Sequence, residues 1–165
     1  NLIKTKLKQE SEHYFQLAIE EGDDIALFAY AIMFWKGEGV PINKKESNKY
    51  FKLVSMNENP KIVFYYANLL YEDNNKKEAS KYYKILADNI NYRGLFKYAS
   101  MLDEGDGIGK NKTEAARYFK KSADKGNPES MYIYASKLFK GDGIQINKKE
   151  AKYYKISADN GFEVT

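Results

Sequence analysis

Apolar residues in this chain recur at helical spacing, and whole columns of them return after about 36 residues. The pairs Tyr30-Ala31, Tyr66-Ala67, Tyr98-Ala99 and Tyr134-Ala135 stand in register, followed by Phe34, Leu70, Leu102 and Leu138 and preceded by Phe28, Phe64, Phe96 and Tyr132. Residues three or four apart share one face of a helix, so these columns predict a helix A whose aromatic and alanine positions form the core. A second pattern, seen in Ala115, Tyr118, Phe119, Ser122 and Ala123, predicts a helix B after each helix A. A step of this length is that of stacked helical pairs, in which each pair buries its apolar face on its neighbours.

Polar residues punctuate the columns at the same step. Asn43, Asn75, Asn111 and Asn147 each stand three residues before a glutamate, Glu46, Glu78, Glu114 and Glu150, at steps of 32, 36 and 36. Each pair reads as the start of helix B: the asparagine oxygen accepts an orphan N–H of the first turn while the glutamate reaches back to the cap. Asp23, Asn59, Asn91 and Asn127 start helix A, with Pro60 and Pro128 at the first helical position, where a missing N–H does no harm. Helix B is expected to close near Gly22, Gly126 or Gly161.

Between helices A and B stand Gly37-Glu38-Gly39-Val40, Gly105-Asp106-Gly107-Ile108 and Gly141-Asp142-Gly143-Ile144. The glycines are expected to take positive φ in a tight turn, and the Val or Ile to plug the gap between helices. With no strand before it, such a loop is no phosphate cradle. In the second repeat Glu72-Asp73-Asn74 runs straight into Asn75, which accounts for the short step. In the last repeat Tyr153-Tyr154 lies one residue nearer its glutamate than Tyr118-Phe119 does. One residue turns a helix by about 100°, so the Asn147 cap and the aromatic register compete, and packing of both tyrosines is expected to prevail.

The chain has 165 residues, 43% of them hydrophobic and 15% aromatic, ample for a core and too many for wholesale disorder. It contains no cysteine, which excludes disulfides and thiolate metal sites. No apolar run approaches the roughly 20 residues that span a bilayer, so membrane insertion is not expected. The net charge of +4 comes from 27 basic and 23 acidic residues mixed along the chain, the pattern of solvated helix faces rather than of a nucleic-acid stripe. No nucleophile stands beside a base, His13 is the single histidine, and no ligand set suggests a metal or cofactor; catalysis is not expected. Asn111-Lys112-Thr113 fits a glycosylation acceptor, but Asn111 is already a helix cap. The chain opens on Asn1 rather than methionine and reads as a piece of a longer protein, in the cytoplasm, or in the endoplasmic-reticulum lumen if a signal lies outside it.

A helical pair of about 36 residues with a Tyr-Ala pair in helix A, a Gly-x-Gly-Val/Ile connector and a Glu-Ala-x-x-Tyr-Phe helix B resembles the Sel-one-like repeat, a relative of the tetratricopeptide repeat. The likeness is best over residues 91–126 and 127–161, good over 23–57 and weak over 59–90. Glu10, Tyr14, Phe15, Ala18 and Gly22 align with Glu114, Tyr118, Phe119, Ser122 and Gly126. The expected organisation is therefore 1–22 as helix B of a preceding truncated repeat, repeats at 23–58, 59–90, 91–126 and 127–161, and 162–165 as the start of another repeat or a tail. The resemblance implies an all-α, right-handed α-solenoid superhelix of antiparallel helix pairs, with helix A lining the concave side, in adaptors and scaffolds rather than enzymes.

If the aromatic and alanine columns are core, the helix A positions that change chemistry between repeats line a groove. They are Ala29, Ile32 and Lys36; Tyr65, Asn68 and Glu72; Lys97, Ser100 and Glu104; and Ile133, Ser136 and Lys140. Each set forms one stripe, apolar at the two ends of the array and more charged in the middle; a merely solvated face is the competing reading. Trp35, whose column continues as Tyr71, Asp103 and Phe139, is either a partly exposed anchor or packs on the N-terminal helix. The expected function is a non-catalytic module binding a partner peptide or helix in this groove. The alternatives are a regulatory or scaffolding segment of a larger multidomain enzyme or signalling protein, and end-to-end self-association through truncated repeat faces.

Overall fold

The computed structural model describes residues 12–17, 19–55 and 59–160, which form helices joined by turns, with no strand among them. The first helix, α1, covers residues 12–17 and 19–20. It is followed by α2 (Asp24–Lys36), α3 (Lys44–Ser55), α4 (Pro60–Glu72), α5 (Lys76–Asp88), α6 (Tyr92–Glu104), α7 (Lys112–Asp124), α8 (Pro128–Lys140) and α9 (Lys148–Asp159). The even-numbered elements are helices A and α3, α5, α7 and α9 are helices B. Two compact units, residues 1–63 and 64–165, divide within α4. No helix of the described residues is long and apolar enough to cross a membrane.

All four expected helix A caps form. The side-chain oxygen of Asp23 accepts from the Ile25 N–H at 2.8 Å, Asn59 from Lys61 at 3.1 Å, Asn91 from Arg93 and Gly94 at 3.1 Å each, and Asn127 from Ser130 at 2.6 Å. In helix B, Asn43, Asn111 and Asn147 accept from Glu46, Glu114 and Glu150 at 3.1, 3.0 and 3.1 Å. The glutamates do not reach the cap backbone as expected: Glu114 and Glu150 accept instead from the Asn111 and Asn147 side-chain amides. The backbone N–H groups of Asn111 and Asn147 are already donated to Leu102 and Leu138 at 2.8 and 3.0 Å, closing helix A. The failed cap is Asn75, which sits at φ −91°, ψ 55° and makes no side-chain cap bond. Its N–H still donates to Leu70 at 2.8 Å, so the short connector keeps the helix A closure while Asn74 alone supplies the left-handed residue, φ 61°.

Within each repeat a helix A ring meets a helix B ring edge-on. Tyr30 and Tyr50, Tyr66 and Tyr82, Tyr98 and Tyr118, and Tyr134 and Tyr154 lie with centroids 4.9, 4.8, 5.0 and 4.9 Å apart. A second pair follows in three repeats: Phe28 with Phe51, Phe64 with Tyr83 and Phe96 with Phe119, at 6.0, 5.9 and 6.0 Å. Edge-to-face geometry sets the positive ring edge on the negative face, worth about 0.5–1.5 kcal/mol beyond burial. Ala31, Ala67, Ala99 and Ala135 are buried beside these pairs, letting the helices approach.

The last repeat departs from the expected register. The cap prevails there: Asn147 holds Glu150, Tyr154 takes the slot of Tyr118, and Tyr153 is left 64% exposed. Lys155 then occupies the slot of Phe119, so Tyr132 loses the partner that Phe96 has and is 55% exposed instead of in the core. A cap and a buried tyrosine pair are both satisfied in this register, whereas burying Tyr153 would break the cap bond.

Successive pairs are joined where the end of helix B meets the start of the next helix A. Val54 packs with Ile62, Leu86 lies against Gly94, and the Ser130 hydroxyl donates to the Ser122 oxygen at 2.8 Å. A Cβ at Gly94 would stand 2.3 Å from Leu86 Cβ and 2.9 Å from the Leu86 carbonyl carbon. The turn before this junction uses Gly22 and Gly126 at φ 75° and 91°, but Ile90 at φ 58°, a conformation that crowds a β-branched side chain.

Gly94→Ala should therefore destabilise the fold. Overpacking of about 1–3 kcal/mol outweighs the roughly 1 kcal/mol gain in helix propensity, because the obstacle includes backbone. Ile90→Gly should stabilise it by about 1 kcal/mol through relief of the left-handed strain. Urea midpoints of the two variants, moving in opposite directions, check both.

Candidate functional site

The four stripes read from the sequence share one exposure profile. Ala29, Tyr65, Lys97 and Ile133 are half-buried, as are Ile32, Asn68, Ser100 and Ser136, and Lys36, Glu72, Glu104 and Lys140 are exposed. None is core. Several are already engaged: the Tyr83 hydroxyl donates to Asn68 Oδ1 at 2.6 Å, and the Ser100 hydroxyl donates to the Phe96 carbonyl at 3.0 Å. Lys97 Nζ stands 5.8 Å from the Tyr71 ring of the preceding helix A, and Lys36 faces Glu38 at 3.7 Å with both groups exposed.

Trp35 is half-buried against its own helix B, edge-on to Phe51 at 6.3 Å with Lys44 Nζ 5.1 Å over the indole. These contacts come from α3; residues 1–11, which the expected packing on the N-terminal segment would involve, lie outside the described residues. The device repeats. The first lysine of helix B covers the same column in two further repeats, Lys76 over Tyr71 at 5.1 Å and Lys148 over Phe139 at 5.5 Å. In the third repeat the column holds Asp103, and Lys112 pairs instead with Asp142 of the next connector at 2.6 Å.

The stripe of α8 lines a concavity. Ile133, Ser136 and Lys140 line a depression of about 270 Å³ with Tyr132, Asp103, Lys137 and Asp142. Its floor is ionic. Lys137, only 3% exposed, donates to Asp103 Oδ1 at 2.5 Å and to Asp142 Oδ2 at 3.0 Å. Two hydrogen bonds, first from Lys112 and then from Lys137, hold the Asp142 carboxyl down to about 2. Asp106, the matching connector residue of the third repeat, is likewise lowered by Lys76 and by the Tyr71 hydroxyl, 2.7 and 2.5 Å away. Tyr132, Lys137 and Asp142 escaped the sequence reading, although the columns carry a signal. Lys137 falls among Met33, Leu69 and Met101, and Asp103 among Trp35, Tyr71 and Phe139, so each breaks an apolar column.

The profile of the Sel1 repeat family matches residues 5–23, 24–57, 93–127 and 128–162. The chain belongs to the Sel1 repeat family. Sel1 repeats are generally protein-interaction scaffolds rather than catalysts. Residues 58–92, outside the matched stretches, hold the Sel1-like pair with the shortened connector, the unused Asn75 cap and Ile90 in the glycine position.

Among solved structures, a Sel1 repeat protein from Oxalobacter formigenes is similar with a TM-score of 0.72 and 24% identity over 92% of this chain and 64% of that one. A second, c5321, a protective antigen of uropathogenic Escherichia coli strains displaying an SLR fold, gives 0.50 and 16% over 90% and 40%. These likenesses show the fold, an all-α repeat solenoid, and the chain spans less than two thirds of either protein. A search of curated proteins gave no match.

The connector ion pairs have a pH signature. Asp142 is more acidic folded than unfolded, so its contribution is full above about pH 4 and is lost as pH falls toward 2. Stability measured by urea unfolding should drop across that window, and Asp142→Asn should lower stability at neutral pH while flattening the acid decline.

Proposed function

We propose that this chain is a non-catalytic protein-interaction module that receives a peptide or partner helix along the exposed stripes of α4, α6 and α8. The observation that carries this reading is the profile of those stripes: equal exposure in each repeat with different chemistry, from Tyr65, Asn68 and Glu72 through Lys97, Ser100 and Glu104 to Ile133, Ser136 and Lys140. Equal exposure marks a continuous face, and unequal chemistry is what recognition of a defined sequence requires. The depression at Ile133, Ser136 and Lys140 offers a place for one anchoring side chain. Ile32, Trp35 and Lys36 carry the same profile on α2 in the other unit.

Photo-crosslinking residues placed singly at Glu104 and Lys140 should capture a partner that residues at Lys81 and Arg117, exposed on helices B, do not. Capture from the helix B positions alone would sink the assignment. Against the partner so identified, the double reversal Lys97→Glu with Glu104→Lys should weaken binding by about tenfold, a loss of about 1.4 kcal/mol. The circular dichroism spectrum and thermal midpoint should stay close to those of the parent.

A further inference from the structure

We propose that Asp106-Gly107 and Asp142-Gly143 are latent sites of isoaspartate formation, kept silent because Lys76 with Tyr71, and Lys112 with Lys137, grip the two carboxylates. An aspartate followed by glycine is open to attack on its side chain by the next backbone nitrogen, since glycine carries no Cβ to screen that nitrogen. Asp-Gly occurs twice in the chain, both times within the tetrapeptide Gly-Asp-Gly-Ile of a connector. Local sequence therefore gives the two sites the same reactivity, and only their surroundings differ.

The fold is committed to both residues of the labile pair. Gly107 and Gly143 stand at φ 76° and 75°, and a Cβ there would meet Lys76 Cβ at 2.5 Å and the Lys112 carbonyl oxygen at 2.3 Å. The aspartates seat each connector on the preceding helix B, with Lys76 Nζ 2.7 Å from Asp106 and Lys112 Nζ 2.6 Å from Asp142. The first connector escapes the hazard, because Glu38 before Gly39 would have to close a six-membered ring, which forms less readily. Glu38 also does a different job: it faces Lys36 of its own helix A at 3.7 Å with both groups exposed.

In the reaction the Gly143 nitrogen attacks Asp142 Cγ: a C–N bond forms, a Cγ–O bond breaks, and the hydroxyl leaves with the amide proton as water. Water then adds at the main-chain carbonyl of the five-membered imide and returns a β-linked chain, with composition and oxidation state unchanged. The grip opposes the first step in two ways. Both oxygens are held, Asp142 Oδ1 by Lys112 and Oδ2 by Lys137 at 3.0 Å, Asp106 Oδ1 by Lys76 and Oδ2 by the Tyr71 hydroxyl at 2.5 Å, so Cγ cannot swing toward the next nitrogen without breaking a charge-assisted bond. The same bonds, Lys112 before Lys137, hold Asp142 ionised with its carboxyl down to about 2, and a carboxylate lacks the leaving hydroxyl that the acid offers. Once β-linked, the chain gains a backbone methylene and draws the carboxylate off Lys137, which is 3% exposed and is left with Asp103. A buried ammonium so deprived disfavours the seated connector, so the change does not heal itself.

The test is ageing of the full chain in neutral buffer, native and in urea, with isoaspartate at each site counted by mass spectrometry of its peptides after electron-transfer fragmentation. In urea the two sites should react at one rate. The native chain should react about tenfold or more slowly at both, the factor expected from charge-assisted hydrogen bonds that must break first. Lys112→Ala should speed the reaction at Asp142 about threefold, as loss of a partly exposed ion pair would, and leave Asp106 at the parent rate. Lys76→Ala should do the reverse. Each variant thus carries its own control at the other connector, which separates loss of the grip from general loosening. Equal rates in native buffer and urea, a rise at both sites in either variant, or protection that outlasts removal of the lysine would each overturn the proposal, the last by showing that backbone rigidity alone protects the bond.

Discussion

Everything in this array rests on how closely the end of one helix B can meet the start of the next helix A. Val54 with Ile62, Leu86 with Gly94 and Ser122 with Ser130 solve that approach in three different ways: two medium side chains, one large against none, and a hydrogen bond between two small ones. At each joint the two residues meet as a pair, so what one position tolerates depends on what stands at the other. A column that looks unconserved in chemistry, Ile62, Gly94, Ser130, is therefore a constrained one once its partner is read beside it.

The connector adds a second seat. Gly107 and Gly143 bring their backbone against Lys76 and Lys112, the first residues of the preceding helices B, so closely that a Cβ would stand 2.5 Å from Lys76 Cβ and 2.3 Å from the Lys112 carbonyl oxygen. Asp106 and Asp142 take the ammonium groups of those same lysines. Small glycines and a charged residue thus act together: one permits contact and the other fixes its register. The buried Lys137 extends this logic into the space between α6 and α8, where an ion pair to Asp103 stands in place of an apolar contact. Such a pair is a weak source of stability but a strong penalty against any register that separates its members.

Much of this was readable beforehand. Eight cap positions, the two aromatic columns and the glycine turns follow from short-range rules, and at seven of the eight caps the side-chain oxygen accepts the expected N–H, although the helix B glutamates do not reach back to the cap backbone. What escaped was whatever depends on two repeats at once. The motif Tyr153-Tyr154 looked like a copy of Tyr118-Phe119, yet its register was decided by Asn147 and Tyr134. Asp142 read as a turn residue, and its partners Lys112 and Lys137 stand on different helices. Tyr132 matched a core column, but its burial depended on what α9 would present to it. The stripe positions were legible as variable; that the stripe of α8 would meet Asp103, Lys137 and Asp142 in a depression was not, because those residues come from α6, α8 and the connector after it.

The seat of Trp35 has a practical corollary. It is the single tryptophan, held between Phe51 and Lys44 in the first unit, whereas the tyrosine pairs recur in every repeat. Excitation at the red edge therefore interrogates residues 1–63 alone, and near-ultraviolet dichroism of the edge-on tyrosines integrates over all repeats. The molecule carries two optical clocks, one local and one global, and any difference between their melting curves would time the parts of the array against each other without a single added label.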